Sequence, residues 1–335
     1  MRGVLSAAVP FYLGAVNLRN WAYRAGWRTV HRVEAPVVSI GNLTTGGTGK
    51  TPVVAWVVEQ LGLLDQQVGI LSRGYAQLDS GANDERLVLD RLCPGIPHIQ
   101  NPDRATAAKQ AIDTHGCTVL VLDDGFQHRR LGRSLDVVLI DALCPWGYGS
   151  VLPRGLLREP ARGLNRADIV ALTRVDQVDA EQLDLLRREV QSLTDAPLVE
   201  IVFRPISLID VNGRRRPLSD LQQTNLGACC GIGNPQSFLR TLTALGTPPT
   251  RDRFRSFPDH HHYTPADMAQ LATWVRQHGI QTVVVTQKDL VKLPETHIGR
   301  ATVWAVEIGV VIEAGESLLT ERLRQTVDRS GKTPP

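Results

Sequence analysis

Thr44-Thr45-Gly46-Gly47-Thr48-Gly49-Lys50-Thr51 is the stretch that decides how this chain reads. It follows the apolar run Val37-Val38-Ser39-Ile40 and opens a helical pattern over about residues 50–64, so the context is strand, glycine-rich loop, helix. Gly49-Lys50-Thr51 is the G-K-[ST] ending of a phosphate-binding loop. Glycines let backbone N–H groups turn inward around phosphates, and a helix N-terminus adds its positive dipole end. Lys50 is then placed to neutralise β- and γ-oxygens, and the Thr51 hydroxyl to ligate Mg²⁺. Pro52 suits the first helical turn, where its missing N–H costs nothing. The general pattern opens with glycine; Thr44 stands there instead. Thr45 occupies the place where dimerising ATPases of this class carry a signature lysine, which speaks against that group.

Outward from the loop, short apolar strands recur at 68–71, 119–122, 137–140 and 169–172, with a helical stretch at 102–115. Such alternation predicts an α/β fold of P-loop NTPase type, a parallel sheet with helices on both faces. The strand at 119–122 runs into Asp123-Asp124, the position where a carboxylate holds Mg²⁺ directly or through water. A helix cap would need only one of the two. Near 204–220 the periodicity breaks at Arg204-Pro205, Asn212-Gly213, Arg214-Arg215-Arg216 and Pro217, and Asn-Gly between apolar stretches signals a hairpin. The expected organisation is therefore a P-loop domain at 33–203, a hairpin linker at 204–222 and a smaller α/β domain at 223–328, with strands near 227–232, 282–286 and 302–306. The last residues, ending Pro334-Pro335, read as a frayed tail.

A length of 335 residues suits about two domains, and 42% hydrophobic with 21% charged residues excludes a disordered chain. A net charge of only +3 gives no whole-chain argument for nucleic-acid binding. The five cysteines form no C-x-x-C pair, so reduced thiols are the expectation. No segment reaches the about 18 to 20 apolar residues of a membrane span. The best candidate, 4–18, is short, contains Pro10 and lacks a clear signal-peptide cleavage pattern. Residues 1–32 are nevertheless distinctive: Phe11, Tyr12, Trp21, Tyr23 and Trp27 are interleaved with Arg19, Arg24, Arg28 and Arg32. On a helix, Arg24, Arg28 and Arg32 would form one basic stripe beside aromatic rings, which suits the headgroup layer of an anionic membrane. A helix packed on the protein body is the plainer reading.

Three other places carry chemistry-bearing residues. Asn83-Asp84-Glu85 reads as a helix N-cap, with Asp84 leading a helix over 85–92. Asp259-His260-His261-His262 invites a zinc reading, but adjacent side chains fan apart and no second Cys/His cluster completes a set. A histidine paired with a carboxylate, as an acid–base partner, fits better. Thr173-Arg174-Val175-Asp176 and Thr286-Gln287-Lys288-Asp289 mimic the guanine-reading motif of GTPases. They support a competing reading, a P-loop GTPase switch or metallochaperone. A small-molecule kinase on the same scaffold is a third, which leaves the N-terminal segment without a purpose.

Taken as a set, the motifs resemble the tetraacyldisaccharide 4'-kinase (lipid A 4'-kinase) family. The likeness rests on Ser39 to Pro52, on Ser72-Arg73-Gly74-Tyr75, and on Leu122-Asp123-Asp124-Gly125-Phe126-Gln127-His128 with Arg129-Arg130-Leu131. It continues through Leu152-Pro153, Leu157-Arg158-Glu159, Gly231-Ile232-Gly233-Asn234-Pro235 and Phe257-Pro258-Asp259-His260-His261. Thr286-Gln287-Lys288-Asp289 resembles the family's T-E-K-D, with Gln287 in place of Glu. The resemblance implies transfer of the γ-phosphate of ATP, with Mg²⁺, to the 4'-hydroxyl of tetraacyldisaccharide 1-phosphate, giving the 1,4'-bisphosphate (lipid IVA). It implies two α/β lobes joined by a β-hairpin linker, with the active site in the cleft. The family's catalytic aspartate lies in G-D-E-P, here Asn83-Asp84-Glu85-Arg86, so Asp84 is the implied base. His260 is the implied catalytic histidine, Asp123 and Asp124 the metal pair, and His128 and Glu159 further active-site residues. Arg73, Arg129 and Arg130 are candidates for gripping the sugar or the 1-phosphate. The implied partners are a membrane-embedded lipid A disaccharide precursor and an anionic membrane surface, with no nucleic acid and no obligate protein partner. The implied location is the cytoplasmic face of the bacterial inner membrane, peripheral or monotopic.

Overall fold

The computed structural model describes residues 2–74, 80–293 and 295–329, the side chains of 2–4, 80–85 and 223 excepted. In chain order the elements are α1 (Arg2–Arg24), β1 (Val37–Asn42), α2 (Lys50–Leu63), β2 (Val68–Ser72), α3 (Ser80–Leu92), β3 (His98–Gln100), α4 (Arg104–His115), β4 (Val119–Asp123), β5 (Leu135–Asp141), β6 (Ile169–Thr173), α5 (Ala180–Gln191) and β7 (Leu198–Ile209). There follow β8 (Arg215–Arg216), β9 (Leu226–Cys230), α6 (Pro235–Ala244), β10 (Phe254–Ser256), α7 (Pro265–Gln277), β11 (Thr282–Thr286), α8 (Gln287–Leu290), β12 (His297–Ile298), β13 (Ala301–Ala314) and α9 (Glu316–Asp328). The described residues divide into two units: 2–74, 93–203 and 310–329 form the first, and 80–92 with 204–309 the second.

In the first unit the parallel strands lie in the order β3-β2-β4-β1-β5-β6-β7. Their β-branched, apolar sequences suit a sheet covered on both faces, and β1, β2 and β6 are buried along their whole length. Leu120, Leu122, Ala107, Ala108 and Ala111 form one core cluster. Burying each leucine there contributes roughly 1.5–3 kcal/mol, and small alanines let α4 sit close to the strands. α4 is started by Asp103, whose carboxylate accepts from the N–H groups of Ala105 and Thr106, and is stopped by left-handed Gly116. β1 lies between β4 and β5, with Ile40 in register with Asp123. The phosphate loop leaving β1 and the carboxylates leaving β4 therefore emerge side by side at the carboxyl ends of the strands. α9, from far along the chain, packs in this unit against α2 and β5.

Two expectations for the N-terminal segment change. α1 runs through Pro10, which sits on its exposed side, and ends at Arg24. Gly26, at φ 75°, closes the helix, and Trp27 donates its N–H to the Ala22 carbonyl. Arg28 and Arg32 lie beyond the helix, so the three arginines form no helical stripe. Instead α1 buries Val16 and Asn20, packs Val9, Tyr12 and Leu13 on a core cluster, and leaves Phe11, Leu18 and Trp21 exposed. No helix among the described residues is long and apolar enough to cross a membrane.

In the second unit the parallel order is β10-β9-β11-β13, with β12 antiparallel on β13. Its core includes Leu271, Trp274, Val283, Val285 and Val303. α7 starts from a reciprocal cap in which the Thr264 hydroxyl and the Asp267 carboxylate each bond the other's backbone N–H. The break read at Arg204-Pro205 is absent, because β7 continues through both to Ile209. Its pairing with β6 ends at Thr173↔Ile201, so on that side Pro205 forfeits no ladder bond. The Asn212-Gly213 signal does mark a hairpin: β8 pairs with the end of β7, Ile209 opposite Arg215, and the Asp210 carboxylate accepts from the N–H groups of Asn212 and Arg214. α3 begins at Ser80, so Asp84 lies inside the helix rather than at its cap; its side chain, Tyr75 and the tail at 330–335 lie outside the described residues.

Candidate active site

The loop between β1 and α2 takes its shape from two glycines and from its neighbours. Gly46 and Gly49 adopt φ 121° and 85°, values that a side chain makes costly. At Gly49 the space is also closed, since an added Cβ would lie 2.0 Å from the Phe203 ring. Gly49 caps α2 without any side-chain hydrogen bond, so the first turn of the helix is left to an external acceptor. Asn42, the last residue of β1, donates to the Thr48 hydroxyl at 3.0 Å and accepts from the Lys50 ammonium at 3.3 Å. It thereby fixes both the loop and its lysine. On the other side, Thr44 bridges Leu157, Thr45 donates its N–H to the Leu156 carbonyl at 2.7 Å, and Arg158 donates its N–H to the Leu43 carbonyl.

Charge gathers at the mouth of this loop. Asp124, in a left-handed conformation at φ 55°, accepts from the Arg158 guanidinium at 2.7 and 2.8 Å and lies 3.4 Å from the Lys50 ammonium. Burial alone would raise its carboxyl pKa, but Lys50 and Arg158 outweigh burial and hold it below the ordinary carboxylate value. Asp124 is therefore ionised and anchors two cations. Asp123 ends β4 beside it, half-buried.

Behind Arg158 lies a network that ties α1 to the site. Glu159 is fully buried and accepts from Arg166 at 2.9 and 3.0 Å, from Gln127 at 3.1 Å and from Asn20 of α1 at 3.2 Å. Gln127 also donates to the Asn42 carbonyl at 2.9 Å, and the Tyr12 hydroxyl donates to the Arg158 carbonyl at 2.8 Å. Every oxygen of Glu159 is thus engaged in holding structure together. His128 is kept neutral: burial, then Arg104 and Arg133, push its pKa down to about 4. Arg129 stacks on the Tyr23 ring and donates to the Asn20 carbonyl, Arg130 pairs with Asp103 at 3.3 Å, and Arg73 is exposed after β2.

His260 belongs to the second unit. It stands at φ 58°, with its N–H bonded to the Gly231 carbonyl and its ring 3.9 Å from the Asp259 carboxylate. The neighbouring His261 is taken up by stacking on Phe257 and by Asp267 at 3.1 Å. In both guanine-like motifs the leading residues bond the protein itself. In the first unit Thr173 and Arg174 bond the carbonyls of Thr48 and Gly47. In the second, the Thr286 hydroxyl caps α8 by accepting the Asp289 N–H and donates to the Asp289 carboxylate, and buried Asp289 also accepts from the Gly231 N–H and the Tyr263 hydroxyl.

The first unit thus brings together all of Thr44 to Thr51 with Asp123 and Asp124. Sequence reasoning gave no role to Asn42, Gln127 or Arg158, although each lies within a quoted motif. Their signal is positional: polar residues at the end of a buried strand or beside a carboxylate pair.

A glycine-shaped loop capping a helix, a lysine over it and carboxylates on the next strand define the chain as a P-loop protein built to handle a nucleotide's phosphates. A sequence profile described as "Tetraacyldisaccharide-1-P 4'-kinase" matches residues 2–328. A tetraacyldisaccharide 4'-kinase of Anaeromyxobacter sp. (strain K) is 40% identical over 307 residues, covering 87% of this chain and 80% of that protein. That of Anaeromyxobacter sp. (strain Fw109-5) is 36% identical over 343 residues, covering 97% and 91%. The crystal structure of LpxK from Aquifex aeolicus in complex with ATP superposes with a TM-score of 0.79 at 28% identity, covering 97% of this chain and 99% of that one. The chain belongs to the tetraacyldisaccharide 4'-kinase family, and with it to the kinases of lipid A biosynthesis. Its fold is that of LpxK, and the GTPase switch or metallochaperone reading falls away.

Proposed function

We propose that this kinase holds ATP with Mg²⁺ on the loop at 44–51 and passes the γ-phosphate to the 4'-hydroxyl of a tetraacyldisaccharide 1-phosphate at the cytoplasmic face of the bacterial inner membrane. The observation that carries the site assignment is the Lys50–Asp124–Arg158 cluster at the mouth of a loop whose helix N-terminus has no side-chain cap. Lys50 and the α2 N-terminus offset charge on the transferring group, and Arg158 sets the carboxylate that fixes Lys50. The donors suit Mg²⁺, a hard cation that takes one or two carboxylates and phosphate oxygens: the Thr51 hydroxyl, Asp123 and Asp124 are all oxygen donors, and Asp124 is held ionised. Bound there, Mg²⁺ would neutralise developing phosphate charge.

Asp84 takes the acceptor hydroxyl's proton, and His260 orients or tunes that base. These roles rest on the family resemblance of Asn83-Asp84-Glu85-Arg86 and of Phe257 to His261. Arg73 and Arg130, both exposed, are candidates for gripping the sugar or its phosphate. Four acyl chains, at about 0.8 kcal/mol per buried methylene, keep such an acceptor in the bilayer, so the enzyme must come to the surface. The exposed Phe11, Leu18 and Trp21 on α1, with Trp27 just beyond it, support that face as the membrane contact.

The test is a phosphoryl-transfer assay with the lipid A disaccharide precursor, ATP and Mg²⁺. Asp84→Ala and His260→Ala should each lower kcat by about 10² to 10⁴-fold with little change in the KM for ATP. Near-normal turnover by either purified variant would remove that residue from the mechanism.

A further inference from the structure

Peptide planarity gives the segment after β6 a function in phosphate binding. In a trans peptide the C=O of one residue and the N–H of the next point in opposite directions. A group that pulls a loop carbonyl one way therefore aims the following amide the other way. Two consecutive carbonyls of the phosphate loop are held like this. The Arg174 guanidinium donates to the Gly47 carbonyl at 2.6 Å, and the Thr173 hydroxyl donates to the Thr48 carbonyl at 3.1 Å. Of the two amides that follow, the Thr48 N–H closes back on the Gly46 carbonyl at 3.0 Å, which leaves the Gly49 amide, immediately ahead of Lys50, as the one so directed.

Arg174 is itself built into position. Its backbone is left-handed, at φ 59°, an uncommon conformation for a residue with a long side chain. Its guanidinium is ion-paired with Asp141 at the end of β5 and lies 5.8 Å from the centre of the Phe203 ring. That same ring closes the space beside Gly49. Thr173 is fully buried and shares its hydroxyl with the Ile140 carbonyl at 3.4 Å. The ends of β5 and β6 and the middle of β7 thus serve three successive residues of the loop, Gly47, Thr48 and Gly49.

We propose that Arg174, oriented by Asp141 and seconded by Thr173, is a positioning residue that holds the loop in the shape that presents the Gly49 amide to the triphosphate. It acts through the Gly47 carbonyl and reads no base. This deepens the proposed function and rests on its assignment of ATP to the loop. It also gives Thr173-Arg174-Val175-Asp176 a use unrelated to the guanine motif it imitates.

The experiment is equilibrium binding of ATP, GTP and inorganic tripolyphosphate, each with Mg²⁺, to the full chain and to Arg174→Ala, Arg174→Lys and Asp141→Asn, beside their unfolding midpoints. Loss of a charged hydrogen bond predicts that Arg174→Ala weakens all three ligands by one common factor, roughly ten- to a hundredfold. Asp141→Asn should weaken them less but in the same ratio. Arg174→Lys, which keeps the charge and one donor, should recover part of the affinity. The proposal is overturned if tripolyphosphate binds Arg174→Ala as it binds the wild type, or if the ATP-to-GTP ratio shifts. It is also overturned if the loss matches only the fraction of protein unfolded. Should Arg174→Ala fail to fold, Arg174→Lys and Asp141→Asn decide by the same criteria. A wild type that binds ATP yet phosphorylates no lipid acceptor would refute the proposed function and leave this inference standing.

Discussion

Glu159 is where structural and chemical roles can be separated most sharply. Its carboxylate has no exposure and takes two hydrogen bonds from Arg166, one from Gln127 and one from Asn20. Glu159→Ala removes the acceptor and leaves those donors behind. Truncating one partner of a buried ion pair costs about 3–5 kcal/mol. The lower end applies, because the Arg166 side chain keeps 20% of its exposure and rests over the Phe126 ring at 4.4 Å. The expectation is a loss near 3 kcal/mol, seen as a fall of roughly 6–12 °C in the unfolding midpoint of the first unit. Glu159→Gln, which keeps an acceptor, should fall by less and retain turnover at temperatures where it stays folded. Differential scanning calorimetry with a transfer assay on the same samples measures both quantities. An Ala variant as stable as the wild type would refute the bracing role. A folded Gln variant without turnover would return Glu159 to the chemistry.

Gly49→Ala must adopt φ 85° and meet the Phe203 ring, so it should lose roughly 2–5 kcal/mol of stability or most of its ATP affinity; a variant normal in denaturation and nucleotide binding would contradict the loop geometry. His128 resists protonation down to about pH 4, whereas in the unfolded chain it takes a proton near pH 6.5. The unfolded state therefore binds more protons between those values, and stability should drop as pH falls from 6.5 to 4. His128→Gln should flatten that slope in urea titrations, and an unchanged slope would exclude His128 as its source. Phe11→Ala with Trp27→Ala, both at exposed positions, should weaken binding to anionic vesicles at least about tenfold and spare ATP binding; undiminished vesicle sedimentation would displace the membrane contact from this face.

The legible parts of this molecule are those written locally. Gly46, Gly49 and Lys50 announce their loop because backbone freedom and charge are properties of single residues at fixed spacing. Asp123 and Asp124 announce theirs because they end an apolar run. The strand at 68–71 and the hairpin at Asn212-Gly213 were equally local. Other features depend on partners distant in sequence. The helix end at Arg24 follows from Gly26, a weak signal beside the four-residue arginine spacing that continued past it. Nothing in Glu159 itself tells a brace from a catalyst, since that depends on Asn20 and Arg166 reaching it from either side. Arg158 and Arg174 lie in quoted motifs that say nothing of the loop, and only the fold brings them to it. No strand was read over 198–209, which runs through the break seen at Arg204-Pro205, and β13 runs past the 302–306 read for it, because strand pairing cannot be seen in sequence.

The return of α9 to the first unit has a consequence for how the protein comes to exist. The helix that carries Lys50 meets α9 only after residues 316–328 have left the ribosome, by which time the whole intervening unit has been made. During synthesis the nucleotide-handling half waits, one helix short, while the insertion that interrupts it is completed. Chains stalled or clipped before that helix would carry an intact phosphate-loop sequence with one side of its supporting helix bare, a form for quality-control proteases to find.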